Sequence, residues 1–230
     1  MTSRQTGFTR ARSPAQKAQR RDDILAAARR LAAEHGVPAI TLGDLADEVG
    51  LAKSNVVRYF GTREEIFVEL CIDESLVLRD LVVERLAAAA APGHVAGVVA
   101  DAVAGAPVFC EVVGLLPTHL EHNVSFDAAL RLKVTTAGVL DDLRVALVAA
   151  VPGLDPADAA RALGAVVLLA SGLWAMARPS SVVREVYAAR PDLGSALAAD
   201  AAEGSVREQL EPVVAAMLRG FVPPSSRLAR

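Results

Sequence analysis

Cysteine is nearly absent from this sequence: Cys71 and Cys110 are the only two in 230 residues. That is too few to staple a chain of this length, and it points to a reduced, cytoplasmic setting. Aromatic residues make up 4% of the chain, which argues against an all-β sandwich rich in Tyr and Phe. Long apolar runs are also missing. The longest uncharged stretch, Ala162 to Ala177, has 16 residues, whereas a membrane-spanning helix needs ~20. It reads as a buried helix, and no membrane partner is expected. The polar, basic start from Met1 to Arg12 has no apolar run behind it of the kind a secretory signal requires. No Gly-x-Ser-x-Gly elbow, dinucleotide loop or phosphate loop ending in Gly-Lys occurs. No catalytic residue is therefore assigned, no cofactor is expected, and an enzyme is disfavoured.

What is present is apolar and helix-forming. Hydrophobic residues make up 53% of the chain, enough to exclude general disorder and fill one large core or two small ones. The net charge of -3 hides an asymmetry. Residues 1–63 carry 11 basic and 6 acidic side chains, a net of +5, so the remainder carries -8. A basic first quarter on an acidic body suggests that one end meets a polyanion, since Lys and Arg on phosphate are the main source of nucleic-acid affinity. A solvated basic tail is the competing reading.

Helix signals are dense at that end. Ser13-Pro14-Ala15-Gln16 combines an N-cap hydroxyl, a first-turn proline and a Gln that can return the cap. With Ile24, Leu25, Ala28, Leu31 and Ala32 on one face and Gly36 as a stop, it predicts a helix over about 14–35. Thr41 and Asp44 form a second capping pair, for a short helix carrying Leu42, Leu45, Ala46 and Val49 and ending at Gly50. Lys53 to Phe60 makes another, with Val56 and Phe60 facing inward, and Thr62-x-x-Glu65 starts a long fourth. Two short helices joined by a Gly-containing turn form a helix-turn-helix, whose second helix must be short, polar outside and anchored from below to reach the major-groove floor.

These residues carry a specific resemblance. Ile24-Leu25-Ala26-Ala27-Ala28, Gly36, Ile40-Thr41-Leu42, Leu45-Ala46, Val49-Gly50-Leu51, Tyr59-Phe60 and Arg63-Glu64-Glu65-Ile66 together resemble the DNA-binding domain of the tetracycline-repressor (TetR) family of bacterial transcriptional regulators. The resemblance implies an all-α protein: a flexible basic arm (1–13), a helix-turn-helix domain (14–63), a helical ligand-binding and dimerisation domain (64–222) and a flexible tail (223–230). It implies a homodimeric, ligand-responsive repressor of a palindromic operator, with double-stranded DNA and a small apolar or amphipathic effector as partners. Its DNA contacts would be Lys53 and Arg58 to phosphate or guanine, Ser54 and Asn55 to base edges, and Thr41, Tyr59 and Arg63 to phosphate. The chain departs from the family pattern at Ala52 (usually Ser), Ser54 (usually Gly or Pro), Val57 (usually a phosphate-binding Tyr) and Arg63 (usually Lys). Val57 is therefore not given the family role. Arg4, Arg10 and Arg12 are candidates for a minor-groove arm.

Beyond Val95, Pro and Gly divide apolar helical segments predicted near 94–104, 107–121, 125–150, 156–177 and 205–221. Ala160, Gly164, Leu168 and Gly172 form a stripe on the fourth of these, and Val206, Leu210, Val213, Met217 and Phe221 one on the last. In the resembling family the last two long helices make a four-helix dimer interface, and these residues are the candidates for it. Candidate effector contacts are Phe109, Cys110, Val113, Leu116, His119, Phe126, Leu143, Leu147, Trp174 and Tyr187, against a plain-core alternative. His119 and His122, at i and i+3, leave open a small metal-binding protein or enzyme, although they lack the i, i+4 spacing of zinc hydrolases and no metal ligand is assigned. A helical interaction module without DNA binding is the other alternative.

Overall fold

A computed structural model describes residues 14–88, 92–193 and 205–222. Arg4, Arg10, Arg12, the Ser13 cap and the 223–230 tail lie outside the described residues. Those described form α1 (Pro14–His35), α2 (Leu42–Glu48), α3 (Lys53–Phe60), α4 (Arg63–Ala88), α5 (Val95–Ala104), α6 (Pro107–Leu115), α7 (Phe126–Ala150), α8 (Pro156–Ala177), α9 (Ser181–Ala189) and α10 (Ser205–Phe221), with no strand among them.

Local chemistry sets the limits of the first helices. Gly36 ends α1 at φ 78°, a left-handed conformation that costs glycine little. The Thr41 hydroxyl accepts the Gly43 and Asp44 amides, and the Asp44 carboxylate accepts the Thr41 amide at 2.7 Å, closing the expected capping box. At the far end of α2, Gly50 takes φ 63° and lets the Leu51 amide reach back to the Ala46 carbonyl at 2.8 Å. The Thr62 pair behaves differently from a capping box. The Thr62 hydroxyl accepts the Glu65 amide, but the Glu65 carboxylate accepts the Ser125 amide at 2.8 Å instead of returning to residue 62. That glutamate ties α4 to the start of α7.

Two apolar cores result, and they divide within α4, beyond the expected boundary at residue 63. One core gathers Ile24, Leu45, Val56 and Phe60 with the first turns of α4 (Ile66–Ile72), and also Val108 and Val112 of α6 and Leu132 of α7. The other gathers the rest of α4 with α5, α7, α8 and α10. Because α4 is continuous, its first three turns close the helix-turn-helix domain before the helix enters the body. α6 touches both cores.

Three other expectations change. α6 stops at Leu115 instead of running to 121, because Pro117 has no amide to continue the helical ladder. α9 was not anticipated; the Ser180 hydroxyl caps it by accepting the Val183 amide. α8 is buried on one face only. Ala159, Leu163, Val166 and Ala170 point inward, while Ala160, Gly164, Leu168 and Gly172 are exposed, Leu168 at 74%. Pro212 lies within α10.

Ala52, the N-cap of α3, supplies no side-chain hydrogen bond. Replacing it with Ser adds the missing acceptor for a first-turn amide. Ala52→Ser should raise stability by about 0.5–1 kcal/mol, seen as a higher urea midpoint with unchanged slope.

Candidate nucleic-acid interface and effector cavity

α3 is held by Val56, fully buried, and Phe60, 3% exposed. With those two anchored on α2 and α4, the opposite face presents Lys53, Ser54, Asn55, Val57 and Arg58 to solvent. Tyr59 is half-buried, and its carbonyl accepts a bond from Arg21 at 2.8 Å. The Arg21 guanidinium in turn stacks on the Phe60 ring, 4.3 Å from its centroid. Lys53 reaches back over Gly43, where an added Cβ would lie 2.8 Å from the ammonium nitrogen. Thr41 is exposed, but its hydroxyl already donates to Asp44 at 2.7 Å. The Thr41 amide and hydroxyl hold the Asp44 carboxyl below its ordinary range, with a smaller contribution from Lys53.

Arg63 does not join this face. Its Nε donates to the Ile40 carbonyl at 2.6 Å and one terminal nitrogen to the Val37 carbonyl at 2.5 Å. The other pairs with Glu64, and the guanidinium lies over the Phe67 ring, 4.8 Å from its centroid. The fork thus fastens the chain between α1 and α2 onto α4. The sequence pointed to a phosphate contact because an Arg opening a helix offers no hint of which carbonyls will fold within reach.

The Val37 peptide is held from its other side too. Its amide donates to Glu111 of α6 at 2.9 Å. Burial pushes the Glu111 carboxyl above its ordinary value, opposed in part by the Val37 amide and more weakly by the positive charge of Arg178. One backbone unit therefore joins α4, α6 and the entry to the helix-turn-helix.

A cavity of about 360 Å³ opens between α4, α5, α6, α7 and α8. Four expected residues line it: Phe109, Val113, Leu116 and Leu143. The other six do not. Cys110 turns into the core, where its thiol donates to the Val103 carbonyl at 3.5 Å; burial pushes both its pKa and that of Cys71 up to about 12. Leu147 is packed in the core one turn beyond Leu143, and Trp174 is buried there too, under the Arg178 guanidinium at 4.2 Å. Phe126 starts α7 on the outer surface, 78% exposed, and Tyr187 belongs to α9. His119 is exposed, its Nδ1 2.8 Å from the Thr118 hydroxyl. Among the described residues no three His, Cys, Asp or Glu side chains gather where a metal ion could be held.

Sequence reasoning missed the rest of the lining, chiefly Leu78, Val82, Val99, Val103, Val139, Leu163 and Val166, with polar Ser75, Glu121, Lys133 and Thr136. Aliphatic wall residues are indistinguishable in sequence from solid core. Ser75 was the available signal: it interrupts the stripe of Cys71, Leu78 and Val82 on α4 with a hydroxyl.

The expected dimer residues divide likewise. Ala160, Gly164, Leu168, Gly172 and Val213 are exposed, whereas Val206 and Leu210 face the chain's own core. Met217 and Phe221 are half-buried against that core. Inward and outward faces of α10 are both apolar and as little as one residue apart, Val213 exposed beside buried Val214, so the sequence does not separate them.

Comparison with known proteins places this architecture. Residues 24–70 match the model of the tetR family of bacterial regulatory proteins, and residues 76–221 match that of the tetracyclin repressor-like C-terminal domain. The chain belongs to the TetR family. It is thus a transcriptional regulator with an N-terminal helix-turn-helix DNA-binding domain and a helical C-terminal domain. Among solved structures, it is similar to a transcriptional regulator from Rhodococcus sp. RHA1, at 17% identity and a TM-score of 0.61, over 90% of this chain and 97% of that one. It is also similar to the fatty acid degradation regulator FadR from Bacillus halodurans, at 15% identity and a TM-score of 0.53, over 89% and 96%. RolR, solved with resorcinol, matches at 15% identity and a TM-score of 0.54, over 93% of each chain. No curated protein sequence matches it. The two family models meet between residues 70 and 76, where the two cores also divide.

Two predictions follow from the Val37 clamp. Arg63→Lys keeps the charge but has one compact ammonium where a fork bonds two carbonyls and covers a ring. It should lower stability by about 1–2 kcal/mol in denaturant titration. Because the Glu111 carboxyl is raised in the folded state, the unfolded chain loses that proton first as pH rises from the ordinary value of 4.5. The contribution of Glu111 to stability therefore falls with rising pH up to the elevated folded pKa and is flat above it. Glu111→Gln should remove that decline, seen as a variant-minus-native difference in urea midpoint that grows across the window.

Proposed function

We propose that this protein is a cytoplasmic, homodimeric repressor that places α3 of each subunit in successive major grooves of a palindromic operator and releases DNA when an apolar or amphipathic effector fills the cavity. The observation that carries the DNA reading is the exposed polar face of α3, with Lys53, Ser54, Asn55 and Arg58 turned away from the two anchors that hold the helix. Lys53 and Arg58 neutralise phosphate or bond guanine, and Ser54 and Asn55 read base edges. Val57, 38% exposed on the same face, offers an apolar contact for a thymine methyl. Tyr59 and the residues at the start of α2 lie beside this face to meet the backbone. Arg63 supports them indirectly, by fixing the Val37–Ile40 segment.

The dimer reading rests on α8. Its small, exposed stripe lets a second helix approach closely, and Val213 of α10 extends the same apolar surface. Two such helices from each subunit make a four-helix interface. The separation of the two α3 helices is then set by how each domain is tilted on its body, and α6 links the two properties. Phe109 and Val113 face the cavity, while Glu111 between them holds the Val37 amide. An effector that prefers a shifted α6 weakens operator binding, and the operator weakens effector binding by the same factor.

An electrophoretic shift on the DNA flanking the protein's own gene, at two salt concentrations, tests the reading. Affinity should fall steeply with salt, and Lys53→Ala and Arg58→Ala should each weaken binding and reduce the log–log salt slope by about 1. Salt-independent binding, or full binding by both variants, overturns it.

A further inference from the structure

The polar groups of the cavity are gathered at one end and share one hydrogen-bonding character. α4 and α7 run side by side in the same direction. The Glu65 bond to Ser125, the Glu69 pairing with Arg131 and the Arg79 bond to Asp142 step along both helices together. Ser75 of α4 and Lys133 and Thr136 of α7 therefore share the end nearer the helix-turn-helix, where the chain after α6 brings Glu121. Val82 and Leu143, farther along the same two helices, lie at the apolar end.

At the polar end the protons are already engaged. The Ser75 hydroxyl donates to the Cys71 carbonyl at 2.6 Å, and the Thr136 hydroxyl donates to the Leu132 carbonyl at 2.7 Å. Each hydroxyl has one proton, so both have only lone pairs left for a ligand. Glu121 adds a carboxylate that accepts from Lys133 at 2.5 Å. Among the four, the only side chain with donors beyond those engaged with backbone carbonyls is Lys133, which is also the most solvent-exposed, at 63% against 29% for Glu121. A bound molecule that displaces the ammonium into water meets three acceptors.

From this, and resting on the effector reading above, we infer that the effector is an apolar molecule ending in a hydrogen-bond donor: a hydroxyl or a protonated amine. A carboxylate head is rejected. It would bring a second negative charge beside Glu121 and would have to turn both hydroxyls away from their carbonyls. Recognition of this kind works by difference, since an apolar wall accepts any body of the right size and only the polar end discriminates.

Four probes of nearly equal length decide it: 1-decanol, decylamine, decanoate and decane, titrated below their aggregation limits into the full-length protein without DNA and followed by calorimetry. The expected result is binding of 1-decanol, decylamine or both at one per chain, with decanoate and decane at least tenfold weaker. Glu121→Gln breaks only an exposed ion pair and should leave folding intact. It should narrow the decylamine-to-decanoate ratio at least tenfold. Leu140→Trp, at an exposed position of the lining, should weaken every probe that binds. Decanoate as the tightest ligand, decane as tight as whichever of 1-decanol and decylamine binds better, a Glu121→Gln variant with unaltered preferences, or binding of none of the four overturns the inference. None of these results touches the DNA reading, which the salt-dependent shift measures separately.

Discussion

The backbone of Val37, on both its amide and its carbonyl side, is the joint on which the two halves of this protein depend. Its carbonyl is held by Arg63 at the head of α4, and its amide by Glu111 in the middle of α6. Neither contact is an ordinary helix bond. Both are charge-assisted side-chain bonds to a backbone unit in a short 3₁₀ turn, at a point where an unsatisfied polar group would cost about 1–3 kcal/mol. The turn follows Gly36 in its left-handed conformation, and a Cβ there would sit 3.0 Å from the Glu111 carboxylate. Glycine is thus required twice at that position, by the backbone angle and by the close approach of α6.

This joint explains why the helix-turn-helix is not an independent bead on a linker. Its core includes Val108, Val112 and Leu116, so one side of α6 belongs to the DNA-binding half and the other to the cavity wall. A nine-residue helix with a proline at its start is joined to α5 by two residues, and the longer chain after it is pinned by the Thr62 hydroxyl donating to the Asn123 carbonyl and by Glu65 accepting the Ser125 amide. Displacing it from the cavity side cannot be absorbed by bending a long loop. The displacement passes to the first core and to the Val37 turn, or the ligand does not fit.

Much of this architecture was legible in the sequence, and the parts that were not share a cause. Helix limits written in local chemistry, such as Gly36, Thr41–Asp44 and Gly50, were legible because a cap interacts with residues two or three positions away. α9 carried a similar sign in Pro179–Ser180, followed by Val182, Val183, Val186 and Tyr187 at helical spacing, but it buries none of its residues and so left little apolar contrast to read. Long-range roles were not legible. Arg63 as a clamp, Glu65 as a tie to α7, and Val206 and Leu210 as inward residues all depend on which distant atoms arrive, and composition is the same in either outcome. The cavity was half legible for the same reason, because absence of packing is a property of the assembled helices and of no single one.

The size of the response such a device can deliver is bounded by the joint itself. Allosteric couplings typically amount to about 1–3 kcal/mol, a factor of 5–150 in affinity, and an effector shifts the equilibrium only by its differential affinity for the two arrangements. Filling an aliphatic cavity contributes to binding in any arrangement that leaves the cavity open, so apolar area adds to how tightly an effector binds without setting how strongly it signals. The signal comes from contacts that differ between arrangements, and on α6 those are few: Phe109 and Val113 on one side and the Glu111 bond to Val37 on the other. An effector too small to press on Phe109 and Val113 would therefore occupy the cavity without loosening the joint, and would act as a competitor of larger molecules instead of an inducer. In the proposed scheme, length of the apolar body would govern output and the polar end would govern which molecules are admitted.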